Sequence, residues 1–422
     1  MTDNKDDKFT LIKSARLIDG TGIAPLERGA VLTKGDSIIA VGTEGSVVPP
    51  EGAPVEEFDY GDGTVLPGLI DSHVHLIGIG DGRKGDELVT LPDEVLTVQA
   101  AQNARKHLYS GVTTVRDCGA KNRTTFLLRQ AMDMGITEGP RLVLSGRPMA
   151  IVGGHLSYFG IEATGVDECR SAVRQLIKEG ADFIKITATG GSTATSHPLA
   201  PSFNVDEMTA IVEEAHKFGK HAAAHCASSQ GMLNALDSGI DTIIHGYHKD
   251  TDDSWNFRPE IADRIAERGV FVNPTIHQSR NRIWRLEEKA ETEGLTPEEQ
   301  ANLYESNCIQ ELKHDQVTRM VDAGVKLTAG SDSAWSFMPM GLFQHEIESH
   351  VVVGLSPMEA IVSATGDAAK SCWIDDEVGT LEAGKQADLL VVDGDPSKNI
   401  NALLNVVDVF KGGAKVDRGN YV

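Results

Sequence analysis

Ser238–Gly246 reads SGIDTIIHG, and its parts state the plan of the whole chain. A serine and a glycine follow an amphipathic stretch, a short apolar run comes at once, and a histidine closes it. Glycine just past a helix adopts the left-handed conformation that residues with a Cβ resist, so the helix stops there. The apolar run entered directly afterwards has the pattern of a buried parallel strand. The same punctuation recurs in SGVTTV from Ser110, EGADFIKI from Glu179, FGKHAAAH from Phe218, RGVFVNPT from Arg268 and AGVKLTAGSD from Ala323. Two more apolar runs, LPGLIDSHVHL at Leu66–Leu76 and RLVLSG at Arg141–Gly146, bring the expected strands to eight. Between them lie DECRSAVRQLIKEG, VDEMTAIVEEAHKFG and RPEIADRIAERG, whose apolar residues fall three and four apart, as on one face of a helix.

Eight strands alternating with helices predict an α/β chain folded as a (β/α)8 TIM barrel, with a doubly wound parallel sheet as the alternative. The two ends follow a different period. KFTLIKSARLIDG and GAVLTKGDSIIAVG near the start, and GTLEAGKQADLLVVDGDP near the close, alternate apolar and polar residues between glycine turns. Residues 1–66 and 379–422 are therefore expected to pair as one small β-sandwich beside a barrel spanning 67–378. Between the seventh and eighth strands, a charged helical insertion at about 277–316 is placed to form a wall or lid of the site.

Composition narrows the partners. Against 62 acidic residues stand 39 Lys and Arg, a net charge of −23. Such a surface repels phosphate backbones and anionic membranes, which argues against nucleic-acid binding and draws any anionic substrate only to a local positive centre. The five cysteines are scattered and odd in number, without C-x-x-C, as expected of reduced thiols. The N-terminus MTDNKDDKF has no apolar core, and no run approaches 18 apolar residues. These features predict a soluble, cytoplasmic protein.

Barrel chemistry sits where strands end. His73 and His75 close the first strand and point the same way, because strand side chains alternate faces. With 14 histidines in the chain, an H-x-H pair arises by chance on the order of 0.5 times, so the pair alone decides little. Lys185 lies within the fourth strand, His225 ends the fifth, His245 the sixth and Asp332 the eighth. Taken singly, Lys185 reads as a snorkelling strand-end lysine, either histidine as a core residue and Asp332 as a helix N-cap. Their convergence on one rim favours a metal centre.

Neutral imidazole and carboxylate are the ordinary ligands of zinc and related divalent ions. A buried ammonium is costly, so Lys185 is expected neutral; between two cations a neutral amine takes up CO2 and becomes an anionic carbamate. Two divalent ions, the carbamate, Asp332 and a bridging hydroxide then leave roughly one net positive charge to polarise a carbonyl. Water bound there ionises near pH ~7, and Asp332 can carry its proton to the leaving group.

LPGLIDSHVHL, TTVRDCG, FIKITATGG, AAHC, IIHG and TAGSD, in that order, resemble the binuclear, carboxylated-lysine branch of the amidohydrolase superfamily, and EAGKQADLLVVDGDP resembles its C-terminal sandwich segment. The resemblance spans nearly the whole chain. It implies two divalent ions, expected to be zinc, with His73, His75 and Asp332 on one, His225 and His245 on the other, and N6-carboxylated Lys185 between them. The GGH of Gly153-Gly154-His155 is similar to prolidase-like dipeptidases, imidazolonepropionase-like proteins and ochratoxin-hydrolysing amidohydrolases, which implies that His155 contacts substrate. The chain departs from those dipeptidases in carrying Ala227, not tyrosine, two residues after His225, and in a shorter loop after GGH; Tyr158 is the candidate replacement hydroxyl.

The implied activity is hydrolysis of N-acyl amino acids or dipeptide-like amides, amide-linked toxins and xenobiotics included. The alternatives are cyclic amides, ureas or carbamates and, from another class, an inert metal-bearing binding protein. Superfamily likeness also implies homo-oligomers. Gly190-Gly191 are expected to let backbone approach a ligand; His197, His277, Trp284 and Trp335 are possible pocket residues, and His221 and His248 core ones.

Overall fold

The computed structural model describes residues 8–419. Its first strands are β1 (Phe9–Leu17), β2 (Leu26–Lys34), β3 (Ser37–Thr43), β4 (Val55–Asp59) and β5 (Thr64–Pro67). Strands and helices then alternate: β6 (Leu69–Val74), α1 (Gly85–Leu88), α2 (Asp93–Tyr109), β7 (Val112–Asp117), α3 (Thr124–Asp133) and β8 (Arg141–Leu144). Two short strands, β9 (Met149–Ala150) and β10 (Ile161–Glu162), precede α4 (Val166–Glu179), β11 (Ile184–Thr187), α5 (Val205–Lys217) and β12 (Ala222–Cys226). The series runs on through α6 (Ser229–Asp237), β13 (Thr242–His245), α7 (Pro259–Arg268) and β14 (Phe271–Asn273) to α8 (Ile276–Thr292), α9 (Pro297–Asp322) and α10 (Gln344–Val352). The chain returns in β15 (Leu389–Val392), β16 (Val406–Lys411) and β17 (Ala414–Lys415).

The central strands are parallel. β6, β7 and β8 form one sheet, and β10-β9-β11-β12-β13-β14 another. Every residue of β6, β7, β11, β12 and β13 is buried, as in strands covered on both faces. The glycine that ends α7, Gly269, has φ +66°, and Gly180 after α4 has φ +111°, so the recurring x-Gly does terminate helices by turning left-handed.

Backbone contacts link the two parallel sheets. The Asp182 amide donates to Leu144 O at 2.7 Å. On the other side Val272 bridges Leu327, and Val74 bridges Ser333, both in parallel. The eighth strand expected at 323–332 is thus a pair of isolated bridges, not a regular strand. Asp332 sits at φ +55°, outside the extended region, and breaks the ladder just where its side chain is needed.

The terminal segments hydrogen-bond as one eight-stranded sheet, β17-β16-β15-β5-β1-β2-β3 with β4 branching from β1. The chain ends meet where β5 and β15 pair antiparallel. Alternation divides its faces: Ile12, Val31, Val65 and Phe410 pack in one cluster, and Leu11, Ala30, Leu32 and Val47 in another. Among the described residues no helix is long and apolar enough to cross a membrane.

Candidate metal centre

Asp71 anchors the rim at which the strands end. Its buried carboxylate accepts from the His73 amide (3.1 Å), the Ser331 amide (2.9 Å) and the Ser331 hydroxyl (2.6 Å), and meets His107 Nε2 at 3.0 Å. These bonds tie the tip of β6 to the stretch carrying Asp332. The His73 and His75 rings stand 5.3 Å apart, and their Nε2 atoms lie 3.4 and 3.5 Å from Asp332 Oδ1. Two ligands ~2.0–2.1 Å from a tetrahedral ion sit about 3.4 Å from each other. The ligand atoms of these three residues all fall within 4.8 Å of one another. Lys185, His225 and His245 line the same cavity outside that close group.

Each imidazole has one nitrogen already held. Asn273 donates its amide hydrogens to Thr328 O and Gly330 O, so its Oδ1 must accept from His73 Nδ1, at 3.0 Å. His75 Nδ1 donates to Gly119 O (2.9 Å), His225 Nε2 to Gly190 O (2.9 Å), and His245 Nδ1 pairs with Thr275 Oγ1 (2.7 Å). The opposite nitrogen of each ring is then free to ligate. His73 Nε2 is buried with no hydrogen-bond partner, an omission that an ion would repair.

Electrostatics favour the neutral forms of the nitrogen groups and, through burial, oppose the carboxylate of Asp332. Burial, with Lys185 adding to it, holds His75 down to about 3 and His73 and His245 well below the usual imidazole range. Burial and His155 do the same to His225. The Lys185 ammonium is itself disfavoured by burial. Burial pushes the Asp332 carboxyl up to about 7, against the pull of Lys185. The donor set is neutral nitrogens and oxygen, which fits divalent zinc-like ions. His245 (φ +65°) and Thr275 (φ +49°) share the left-handed backbone of Asp332. Non-glycine residues held there mark positions fixed by their surroundings.

The cavity has a volume of about 640 Å³. His155 lies against it, its ring 4.6 Å from that of His225 and its Nδ1 3.2 Å from Thr193 Oγ1. Gly191 lines the cavity, and a Cβ there would lie 2.6 Å from the His155 ring, so the glycine also makes room for the histidine. Tyr158 and Trp335 line the cavity, Trp335 with its ring 5.1 Å from that of His75. Trp284 does not; it packs beside His277 and His345. His277 is buried away from the cavity, and His197 is exposed. His221 stacks on Phe183 and His248 on Phe257.

Sequence reasoning missed the groups that orient the rim: Asp71, Asn273, Thr275 and Gln278, whose Nε2 donates to Asp332 Oδ2 at 2.7 Å. It also missed Gly80-Asp-Gly82-Arg-Lys-Gly85, a G-x-G-x-x-G spacing just after β6. Here Gly82 and Gly85 give space to the Phe337 ring and the Tyr158 hydroxyl. α8 and α9 form one wall of the cavity through Gln278, Ser279, Arg282, Ser306, Ile309 and Lys313.

Comparison with known proteins agrees with this geometry. A family model described as "Amidohydrolase family" matches residues 64–416. The chain is 28% identical to ochratoxinase of Aspergillus niger over 96% of its own length and 86% of that protein. A solved Xaa-Pro dipeptidase with bound methionine is 30% identical, with a TM-score of 0.79 over 97% of this chain and 100% of that one. A prolidase in complex with N-methylphosphonate-L-proline is 28% identical, with a TM-score of 0.82 over the same shares. The chain belongs to the amidohydrolase family and is an amide-bond hydrolase.

Proposed function

We propose that the chain is a binuclear metal hydrolase of amides that carry a free carboxylate: N-acyl amino acids, dipeptides and amide-linked xenobiotics of that shape. The observation that carries this reading is the meeting of four imidazoles, each with one nitrogen tied back, with Lys185 and Asp332 in one cavity. His73, His75 and Asp332 would hold one ion, His225 and His245 the second, and Lys185, as a carbamate, would lie between them. Bound divalent ions would polarise the scissile carbonyl and bring the ionisation of water towards pH ~7.

The chain's own groups do the rest. Asp332, steadied by Gln278 at Oδ2, takes the proton from attacking water and returns it to the departing amine. His155 donates to the substrate carbonyl or carboxylate from the facing wall, with Tyr158 beside it. A carboxylate-bearing substrate suits walls on which Arg83, Lys84, Lys249, Arg282 and Lys313 face only Asp86 and Asp332 as acids. We also infer that β6 to β14 and residues 323–332 close as a (β/α)8 barrel over 67–378, supported by the bridges at Leu327 and Ser333, and that the flanking segments curl into the β-sandwich expected of 1–66 and 379–422, of which 1–7 and 420–422 lie outside the described residues.

Elemental mass spectrometry of the purified protein, with turnover measured on N-acyl amino acids, dipeptides, lactams, ureas and carbamates, tests the proposal. Close to two ions per chain and hydrolysis of the carboxylate-bearing amides are expected. Two ions with turnover of ureas or lactams alone would overturn the substrate class, and one ion or none would overturn the bridging lysine.

A further inference from the structure

Resting on the carboxylate-amide reading above, we propose that Lys313 is the anion receptor of the cavity: its ammonium, with Ser279 beside it and the Tyr247 ring next to it, binds the substrate carboxylate. Lys313 lies on α9, is 7% exposed, and lines the cavity. Its Nζ donates to Ser279 Oγ at 2.5 Å and stands 4.7 Å from the centre of the Tyr247 ring. It makes no ion pair among the described residues.

Burial together with that isolation separates it from its neighbours, since Lys84 and Arg282 also make no ion pair among the described residues but stand exposed. Among the other cations on the cavity wall, Arg83 pairs with Asp81 at 3.1 Å and Lys249 with Asp253 at 2.5 Å. Within the same helix pair, Lys289 finds Glu299 at 2.5 Å, so acids are at hand where a lysine serves only to join the helices. A buried ammonium without a carboxylate is costly, and one hydroxyl leaves two of its three donors unused. An anion entering the cavity supplies what is missing.

The position also sets the shape of that anion. The Tyr247 ring lies 5.5 Å from the His245 ring and 4.7 Å from the Lys313 ammonium. A carboxylate at Lys313 and a carbonyl at the histidine rim would thus be a short separation apart, with the same ring close to both. That separation fits an acid group a few bonds from the amide, as in an acyl amino acid, and gives α8 and α9 the task of selecting it.

The test is calorimetric and involves no turnover. 3-Phenylpropionate and its neutral counterpart 3-phenylpropionamide are titrated into the zinc-loaded full chain, as wild type, Lys313→Met and Lys313→Arg. Loss of a charge-assisted hydrogen bond should weaken the carboxylate roughly 10- to 100-fold in Lys313→Met. Lys313→Arg should recover part of that, and the preference for carboxylate over carboxamide should fall with it. Anion affinity from the ions themselves is common to all three proteins and cancels. An unaltered preference, or an equal loss on both probes, would overturn the proposal. If Lys313→Met does not fold, Ser279→Ala takes its place, with a several-fold loss expected for the carboxylate probe alone. Should acyl amino acids not be hydrolysed while the binding difference persists, the fault lies with the proposed activity and not with Lys313.

Discussion

Asp332 is held from two sides, with Oδ1 towards the histidines and Oδ2 accepting from Gln278 at 2.7 Å. Asp332→Asn keeps the size of the side chain and one oxygen for the rim, but removes the proton acceptor. Turnover should fall on the order of 10²- to 10⁴-fold with metal content retained; full turnover in that variant would sink the proton-transfer role. At this scale the sequence is legible where chemistry is local. A histidine two residues from another at a strand tip, or a lysine in an apolar run, is conspicuous because strand alternation aims it and burial makes it costly. Asn273, Thr275 and Asp71 stay hidden because what distinguishes them is a partner far along the chain. Asn273 is a common polar residue until its contacts with His73, Thr328 and Gly330 are known. The closeness of Gly191 to His155 stayed hidden for the same reason: a Cβ there would meet a ring that the sequence places on another loop.

The helix pair α8–α9 was legible as a charged helical insertion, and its bounds extend beyond the expected 277–316, to Ile276 and Asp322. What fixes it in place lies on another element. Glu346 of α10, fully buried, accepts from the Ile276 amide through Oε1 (2.9 Å) and from the His277 amide through Oε2 (2.6 Å). A carboxylate at a helix N-terminus meets both unpaired amides and the positive end of the dipole. Glu346→Gln turns one acceptor into a donor facing an amide and should loosen the root of α8 by about 1–3 kcal/mol. Hydrogen exchange at residues 276–282 should quicken and KM rise, because Gln278 and Ser279 follow directly on that root, while metal content holds. Exchange as slow as in the wild type would show that α8 is fixed by its packing and not by Glu346. The eighth strand failed for an elemental reason as well. KLTAGSD has the composition of its predecessors, but composition does not register the left-handed turn at Asp332.

Across the whole molecule, the candidate ligands come from β6, β11, β12, β13 and the stretch ending at Asp332. Alternating period and glycine punctuation made the α/β order readable, and the strand-like ends readable as a separate unit. That β1 would pair with β4 along one part and β5 along another was not, since pairing between distant strands leaves no trace in local periodicity. The arrangement of the ligands predicts how metal and fold are coupled. The segment 327–333 joins its neighbours by isolated bridges and single hydrogen bonds in place of a regular ladder, so an ion held by Asp332 together with His73 and His75 would add a tie across that seam. A ligand that binds only the native state at a thousandfold excess over its Kd stabilises it by about 4 kcal/mol. Removing metal with a chelator should therefore lower the melting temperature by at least a few degrees, restored by zinc and not by magnesium, which prefers oxygen ligands in octahedral geometry. The loss should appear in hydrogen exchange first at 327–333 and at the tip of β6, where the tie is made. An identical melting curve after verified metal removal would mean that these residues bind no ion strongly in the native protein, and the buried, partnerless His73 Nε2 would require another explanation.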